Sequence, residues 1–319
     1  MGVGAFLLTL ALLSRFYVYD QLAVAPVDQD STSTLFGPDA TVFDISTMEE
    51  ITTDLTTTAV TVGDVEAAED AGGDTVVWVN TSSTEDADGV VRSRSIDRVA
   101  FDAHTGEAVN CCGEYYSSVE GEEEPVEHKG LVFKFPFGTE KKTYDWWDAS
   151  LLDTVPIEFE EVEEVEGVTT YRFSHTIEPT EVGTIDLPAE LLGEEGDETL
   201  TGDRMYSNVR TLWVEPRTGV VIKRQEQQNN TIAYNGVDQI TTTAVTTAFT
   251  DEMVKDNAEE YGSTSTLLNL IQNIVPLAGL ILGLLLLLGG LLIVLASRRG
   301  EQDAHDEHRS AVPAGAAHR

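Results

Sequence analysis

The sequence predicts a mainly β, antiparallel extracytoplasmic domain flanked by N- and C-terminal transmembrane helices. Three observations predict it. The C-terminal part contains a long stretch without any charged residue, from 261 to 297. The middle is rich in Thr and Val, with turn residues at short intervals. No amphipathic helical runs of crossover length separate those segments, which disfavours a parallel βαβ architecture.

The apolar ends set the topology. Residues 275–296 are almost purely aliphatic, and at about 1.5 Å rise per residue they span a bilayer core of roughly 30 Å. Pro276 lies at the start of the run, where a missing N–H is tolerated. Arg298 and Arg299 follow directly and favour the cytoplasmic side. The tail 298–319 is therefore expected to be cytoplasmic and disordered. At the other end, 2–13 is apolar, Arg15 interrupts, and Phe16, Tyr17 and Tyr19 form an interfacial aromatic group. Two readings stand: an anchor over 1–19 whose start lies upstream of Met1, and a signal peptide cleaved after the small residues at 23–25. Two anchors would place 20–262 outside the cytoplasm, with 263–297 as lead-in and span.

Composition narrows the function. Acidic residues number 56 and basic residues 19, a net charge of −37. A nucleic-acid partner is excluded, because phosphate binding needs a basic face. The surplus acid reads as adaptation to concentrated salt, where the Debye length falls to about 3 Å at 1 M. No EF-hand spacing supports the calcium alternative.

Strands are expected over 74–81, 92–101, 156–165, 168–177 and 237–250. Glu166-Gly167 marks a hairpin turn between two of them. Thr250 is placed to cap a helix opening on Asp251 and Glu252, acids that suit its dipole. One pattern occurs twice: an apolar strand, an acid, two residues, Thr-Gly and another apolar strand. Its copies centre on Asp102 to Gly106 and Glu215 to Gly219. The pattern resembles the strand-turn-strand of lipoprotein carriers of the LolA type, which implies a curved sheet. Independent convergence on a good hairpin turn is the alternative.

The blocks over 97–113 and 130–144, with the later 210–219 block and the terminal span, resemble the porin PorA family. The resemblance implies two terminal anchors around an extracytoplasmic domain and brings no established catalytic function. The chain departs from the family pattern in its acidity and its acidic insertion around 120–124.

Few residues offer chemistry. Cys111 and Cys112 are adjacent, with Cα atoms about 3.8 Å apart across a trans peptide. They are read as a vicinal disulfide that stiffens a turn, with a redox or ligand-contact loop as the alternative. His104 and His128 complete no zinc set with them, and no metal or cofactor is expected. No nucleophile–base pair or phosphate loop occurs, so the chain is read as non-enzymatic. The candidate ligand-binding residues are Phe135, Phe137, Lys141, Lys142, Tyr144 and Trp146. An anionic head group would sit on the lysines and a lipid tail on the aromatics. The plainer reading is a hairpin about 136–138 with core aromatics and local ion pairs to Glu140 and Asp145. The expected partners are the lipid bilayer and an envelope lipid. The competing functions are a pore and a structural envelope protein.

Screening of acid–acid repulsion predicts that the extracytoplasmic domain melts at a higher temperature in molar salt than in dilute buffer. Thermal melts across a salt series check this, and a flat or falling trend refutes it.

Overall fold

In the computed structural model, the structure describes residues 2–119 and 121–310. The chain divides into two units, one formed by Met1–Leu22 with Thr266–Arg319, the other by Ala23–Ser265.

The Ala23–Ser265 unit is built on one twelve-stranded sheet. Its first six strands are β1 (Asp30–Asp44), β2 (Glu49–Gly63), β3 (Thr75–Asp86), β4 (Val91–Asp102), β5 (Tyr115–Val119) and β6 (Glu122–Pro125). The second six are β7 (Tyr144–Asp148), β8 (Asp153–Val165), β9 (Val168–Pro188), β10 (Thr199–Val214), β11 (Val221–Tyr234) and β12 (Val237–Phe249). The order is β6-β5-β4-β3-β2-β1-β12-β11-β10-β9-β8-β7, so two meanders meet where β1 pairs with β12. All pairs between these strands are antiparallel, as the sequence predicts, and the sheet is open.

The long pair β1–β2 is not among the strands expected from sequence, because its many Ser and Thr residues and the Gly37-Pro38-Asp39 interruption obscure the apolar alternation. The pair is held by its ladder and by Ala40, Val42 and Leu55, and β2 adds a hydroxyl contact to β3, between Thr57 Oγ1 and Thr84 Oγ1 at 2.8 Å. Two helices complete the unit. α3 (Val65–Ala71) is capped by Asp64, whose carboxylate accepts from the Ala67 N–H and pairs with Arg98 at 2.8 Å. α4 (Asp251–Asn269) begins where Thr250 Oγ1 accepts from the Met253 N–H, the cap expected from sequence. Val254 and Ala258 pack on Val165, Trp213 and Ile222.

Alternation along the strands gives the sheet an inner and an outer face. The inner face is covered at one end by the segment that links the two meanders, 126–143. Leu131 forms a bridge to Glu107 on one side and to Trp146 on the other, joining the two ends of the sheet at this level. Val132 and Trp147 pack with Val76, Trp78, Val99 and Phe101. Leu131, Phe135, Tyr144 and Trp146 pack with Ile157, Phe173, Leu212 and Val214. One strap thus supplies the centre of both halves of the core.

Two matching turns hold the strap, and they are the two copies of the Thr-Gly pattern. In the first, the Asp102 carboxylate accepts from the N–H groups of His104 and Thr105 and from the Thr105 hydroxyl. In the second, Glu215 accepts from the N–H groups of Arg217 and Thr218 and from the Thr218 hydroxyl. Each ends on a glycine at positive φ, +76° at Gly106 and +73° at Gly219. The strap spans them through backbone bonds: Val132 N–H to Gly106 O at 2.9 Å, Phe137 N–H to His104 O at 3.0 Å, Phe135 N–H to Gly219 O at 2.8 Å and Gly138 N–H to Arg217 O at 3.1 Å.

The other unit is a helix pair. α1 (Gly2–Leu13), a π-helical turn over Ser14–Val18 and α2 (Tyr19–Leu22) form one continuous rod. The C-terminal rod passes from the end of α4 through a second π-helical turn, Leu270–Ile274, into α5 (Val275–Ser310). α1 and α5 run antiparallel, with Gly4 against Gly283 and Leu287, and Ala11 against Gly279. Small residues four apart permit this close approach. The π-turns lie side by side, and carbonyls of the second are met by side chains of the first: Ser14 Oγ donates to Ile271 O at 2.8 Å and Arg15 to Gln272 O at 3.0 Å. The rods Gly2–Leu22 and Asp251–Ala296 are both long and apolar enough to cross a membrane. α5 continues past Arg298 and Arg299 to Ser310, so helix extends into the segment expected to be disordered. The remainder of that tail, 311–319, lies outside the described residues.

A methyl group at Gly219 would collide with Phe135 O and Pro136 O, on top of the strain of positive φ. Gly219→Ala is expected to lose about 3–5 kcal/mol of stability. Gly138→Ala has the same positive φ and open space around it, and is expected to lose only about 1 kcal/mol. Denaturant melts of the two variants compare them directly.

Candidate functional site

The strap places unlike groups at the ends of the domain chain. The first turn also holds the start of the Ala23–Ser265 unit: Ala25 N–H donates to Ala103 O at 2.9 Å, and His104 Nδ1 donates to Ala23 O at 2.8 Å. The second turn holds its end, where Ser265 Oγ donates to Glu215 Oε1 at 2.7 Å. The residues through which the chain leads to each apolar rod are therefore fixed at the strap.

Four of the six lysines lie within 129–142: Lys129, Lys134, Lys141 and Lys142, the others being Lys223 and Lys255. Lys134 turns inward. Its ammonium donates to Phe135 O at 2.6 Å and stands 4.1 Å from the centre of the Phe137 ring. Burial pushes its amine down to about 7, against the weak opposing pull of Asp102. Lys141 and Lys142 are exposed. Lys141 lies over the rings of Tyr171 and Phe159, at 5.1 and 5.6 Å. Lys142 pairs with Glu140 at 2.9 Å and lies 5.1 Å from the Tyr144 ring.

The six residues singled out from sequence do not share one surface. Phe135, Tyr144 and Trp146 are buried in the core, and Phe137 is half-buried. The segment 136–138 is a turn closed by the Thr139 hydroxyl on Pro136 O and held between the two Thr-Gly turns, rather than the tip of a β-hairpin. Cys111 and Cys112 are joined as a vicinal disulfide, in a loop held by Asn110 Nδ2 donating to His128 O and by Arg98 donating to Cys112 O. Among the described residues no group of three or more His, Cys, Asp or Glu is arranged to hold a metal ion.

A buried ionic network escaped the sequence reading. The cross-strand pair Arg210 and Glu226 on the inner face is bonded at 2.8 Å, and Arg210 also reaches Asp148 at 3.0 Å. Arg224 pairs with Glu226 as well. Asn208 donates to Glu226 and to Tyr206 Oη, and Tyr206 donates to Asp148. Burial opposes ionisation of Glu226, but Arg210 and Arg224 outweigh it and hold the carboxyl below the ordinary range. His175 sits opposite Arg210 with neither ring nitrogen hydrogen-bonded; burial, reinforced by Arg210, holds its pKa down to about 4. The sequence offered no signal, since isolated Arg and Glu in polar strands read as surface residues. With its charges mutually paired, the network can brace β7 against β10 and β11. It presents no nucleophile.

Comparison with known proteins gives a consistent result. The family model described as Porin PorA matches residues 1–292. A protein named Porin PorA from Corynebacterium amycolatum is 34% identical over 123 residues, covering 31% of this chain and 32% of that protein. Another named Porin PorA, from Corynebacterium resistens, is 26% identical over 245 residues, covering 57% of this chain and 59% of its own length. The chain thus matches about a third of one relative and somewhat over half of the other.

The depressed His175 pKa gives a pH dependence of known sign. Between its ordinary value of 6.5 and about 4, the unfolded chain binds the proton and the folded chain does not. Stability therefore falls as pH drops through this window, by up to about 3 kcal/mol from this one group. Denaturant melts from pH 7 to 4 should show the fall, and His175→Leu should reduce it.

Proposed function

The chain belongs to the porin PorA family, and from that premise we propose that it is a membrane-tethered, non-enzymatic protein whose extracytoplasmic sheet binds an anionic envelope lipid at the basic strap. Its apolar rods and its family point to a membrane location. The observation that carries the reading is the shared anchorage at the strap. The two turns that fix the strap also fix Ala23 and Ser265, the ends of the sheet unit that continue into the apolar rods. Tethering to a membrane would raise the local concentration of lipid for a domain whose net charge otherwise repels anions. Phe135, Tyr144 and Trp146 set the strap from within, while Phe137 and the Tyr171 and Phe159 rings under Lys141 flank the head-group position. The arginines at 298 and 299 support a cytoplasmic C-terminus in this reading, with the sheet outside.

A pore is the second reading, favoured by the name that both relatives carry. It would require several copies, because one helix pair encloses no channel. The sheet itself is ill suited to a lipid-facing barrel: β8 alone carries Glu158, Glu160, Glu161, Glu163 and Glu164.

In nanodiscs containing phosphatidylglycerol, the full chain is expected to retain that lipid through purification. The double substitution Lys141→Gln with Lys142→Gln should lower retention about tenfold or more, at roughly 1 kcal/mol per lysine near an anionic surface. Unchanged retention removes the strap from the site. Reproducible single-channel steps in planar bilayers would shift the assignment to a pore. A single cysteine in the tail that reacts with an impermeant reagent in intact cells would reverse the sidedness.

A further inference from the structure

The outer face of the second meander carries a groove of about 1010 Å³ across β9–β12 and the edge of β1. Strand register builds it. Thr176, Val209, Gln227 and Thr246 stand directly opposite one another on four successive strands, forming one row across the sheet. A second row runs through Ser207, Asn229 and Ala244. At one end Phe36 pairs with Ala248, and its ring is 41% exposed. Strands are spaced by about 4.8 Å, so each step across the groove presents a fresh side chain.

The chemistry of this lining is selective. The side chains of Gln227, Asn229 and Thr246 make no hydrogen bond within the described residues, so their donors and acceptors are available to a ligand. No Lys, Arg or His lines the groove, while Asp39, Glu178 and Asp251 stand along it. An anion is therefore repelled. A hydrocarbon tail would strip water from amide and hydroxyl groups without replacing their hydrogen bonds. A ligand that suits both the free amides and the exposed ring is uncharged, rich in hydroxyls, and has an apolar flank to lay on Phe36.

We propose that this groove binds a neutral, linear oligosaccharide, lying across the strands with its hydroxyls bonded to Gln227, Asn229 and Thr246 and one sugar ring on Phe36. The site is separate from the strap and does not depend on the lipid reading. It gives the tethered domain a means of engaging a neutral glycan near the membrane.

The test uses the full chain in nanodiscs, titrated calorimetrically with linear oligosaccharides of β1,4-linked glucose, β1,4-linked N-acetylglucosamine and α1,6-linked mannose, with polyphosphate and spermine as charged probes. Saturable binding of at least one oligosaccharide is expected. Gln227→Ala and Phe36→Ala should each weaken it about five- to tenfold. Both positions are exposed, and melting temperatures of the variants verify the fold. The lipid retention that depends on Lys141 and Lys142 should be unchanged in both variants, which separates this site from the strap. The proposal is overturned if none of the three oligosaccharides binds saturably, if binding survives both substitutions intact, or if polyphosphate or spermine binds in their place.

Discussion

The architecture depends on one constraint: a single strap must satisfy its backbone on two turns at once. Gly106 and Gly219 each bring their turn against the strap's main chain, at Lys134 and at Phe135 and Pro136. Four backbone hydrogen bonds then fix the strap between them. Because the strap carries Leu131, Val132 and Phe135, its position sets the core of both meanders. The sheet gains an interior from this arrangement without closing its named strands into a barrel.

The same constraint arranges the charges. Above the strap, the inner face turns from aromatic to ionic, and Asp148 at the end of β7 is drawn to Arg210. Buried ions are tolerated only when paired and hydrogen-bonded, and here two carboxylates and two guanidiniums share contacts with Asn208 and Tyr206. Removing one partner would strand the others in a low-dielectric interior, so the network favours one pairing of the strands over its alternatives. The outer face carries no such penalty, and its amides and hydroxyls remain open to a ligand.

In the helix pair the same logic operates between two apolar rods. Glycine and alanine let α1 and α5 approach, and Ser14 and Arg15 of the N-terminal π-turn donate to carbonyls of the C-terminal one. A polar group within an apolar rod is thereby satisfied by its neighbour. The N-terminal run, which Arg15 interrupts in composition, is nonetheless a helix continuous to Leu22.

The antiparallel β class, the long apolar C-terminal helix, the cap at Thr250 and the two Thr-Gly turns were all legible in the sequence. Those features rest on local chemistry: apolar length, alternation, a capping hydroxyl, a glycine at positive φ. The sequence also marked the stretch around Phe135 and Lys141 as unusual, but could not separate buried aromatics from exposed lysines. Tertiary structure decided that Phe135, Tyr144 and Trp146 face inward, that 136–138 is a turn held between the two Thr-Gly turns, and that Arg210 meets Glu226 and Asp148. It also decided the pairing of β1 with β12 and the rows that form the outer groove. Each of these depends on which elements lie beside which, and a contact between residues as far apart in the chain as Asp148 and Arg210 leaves no mark on local composition.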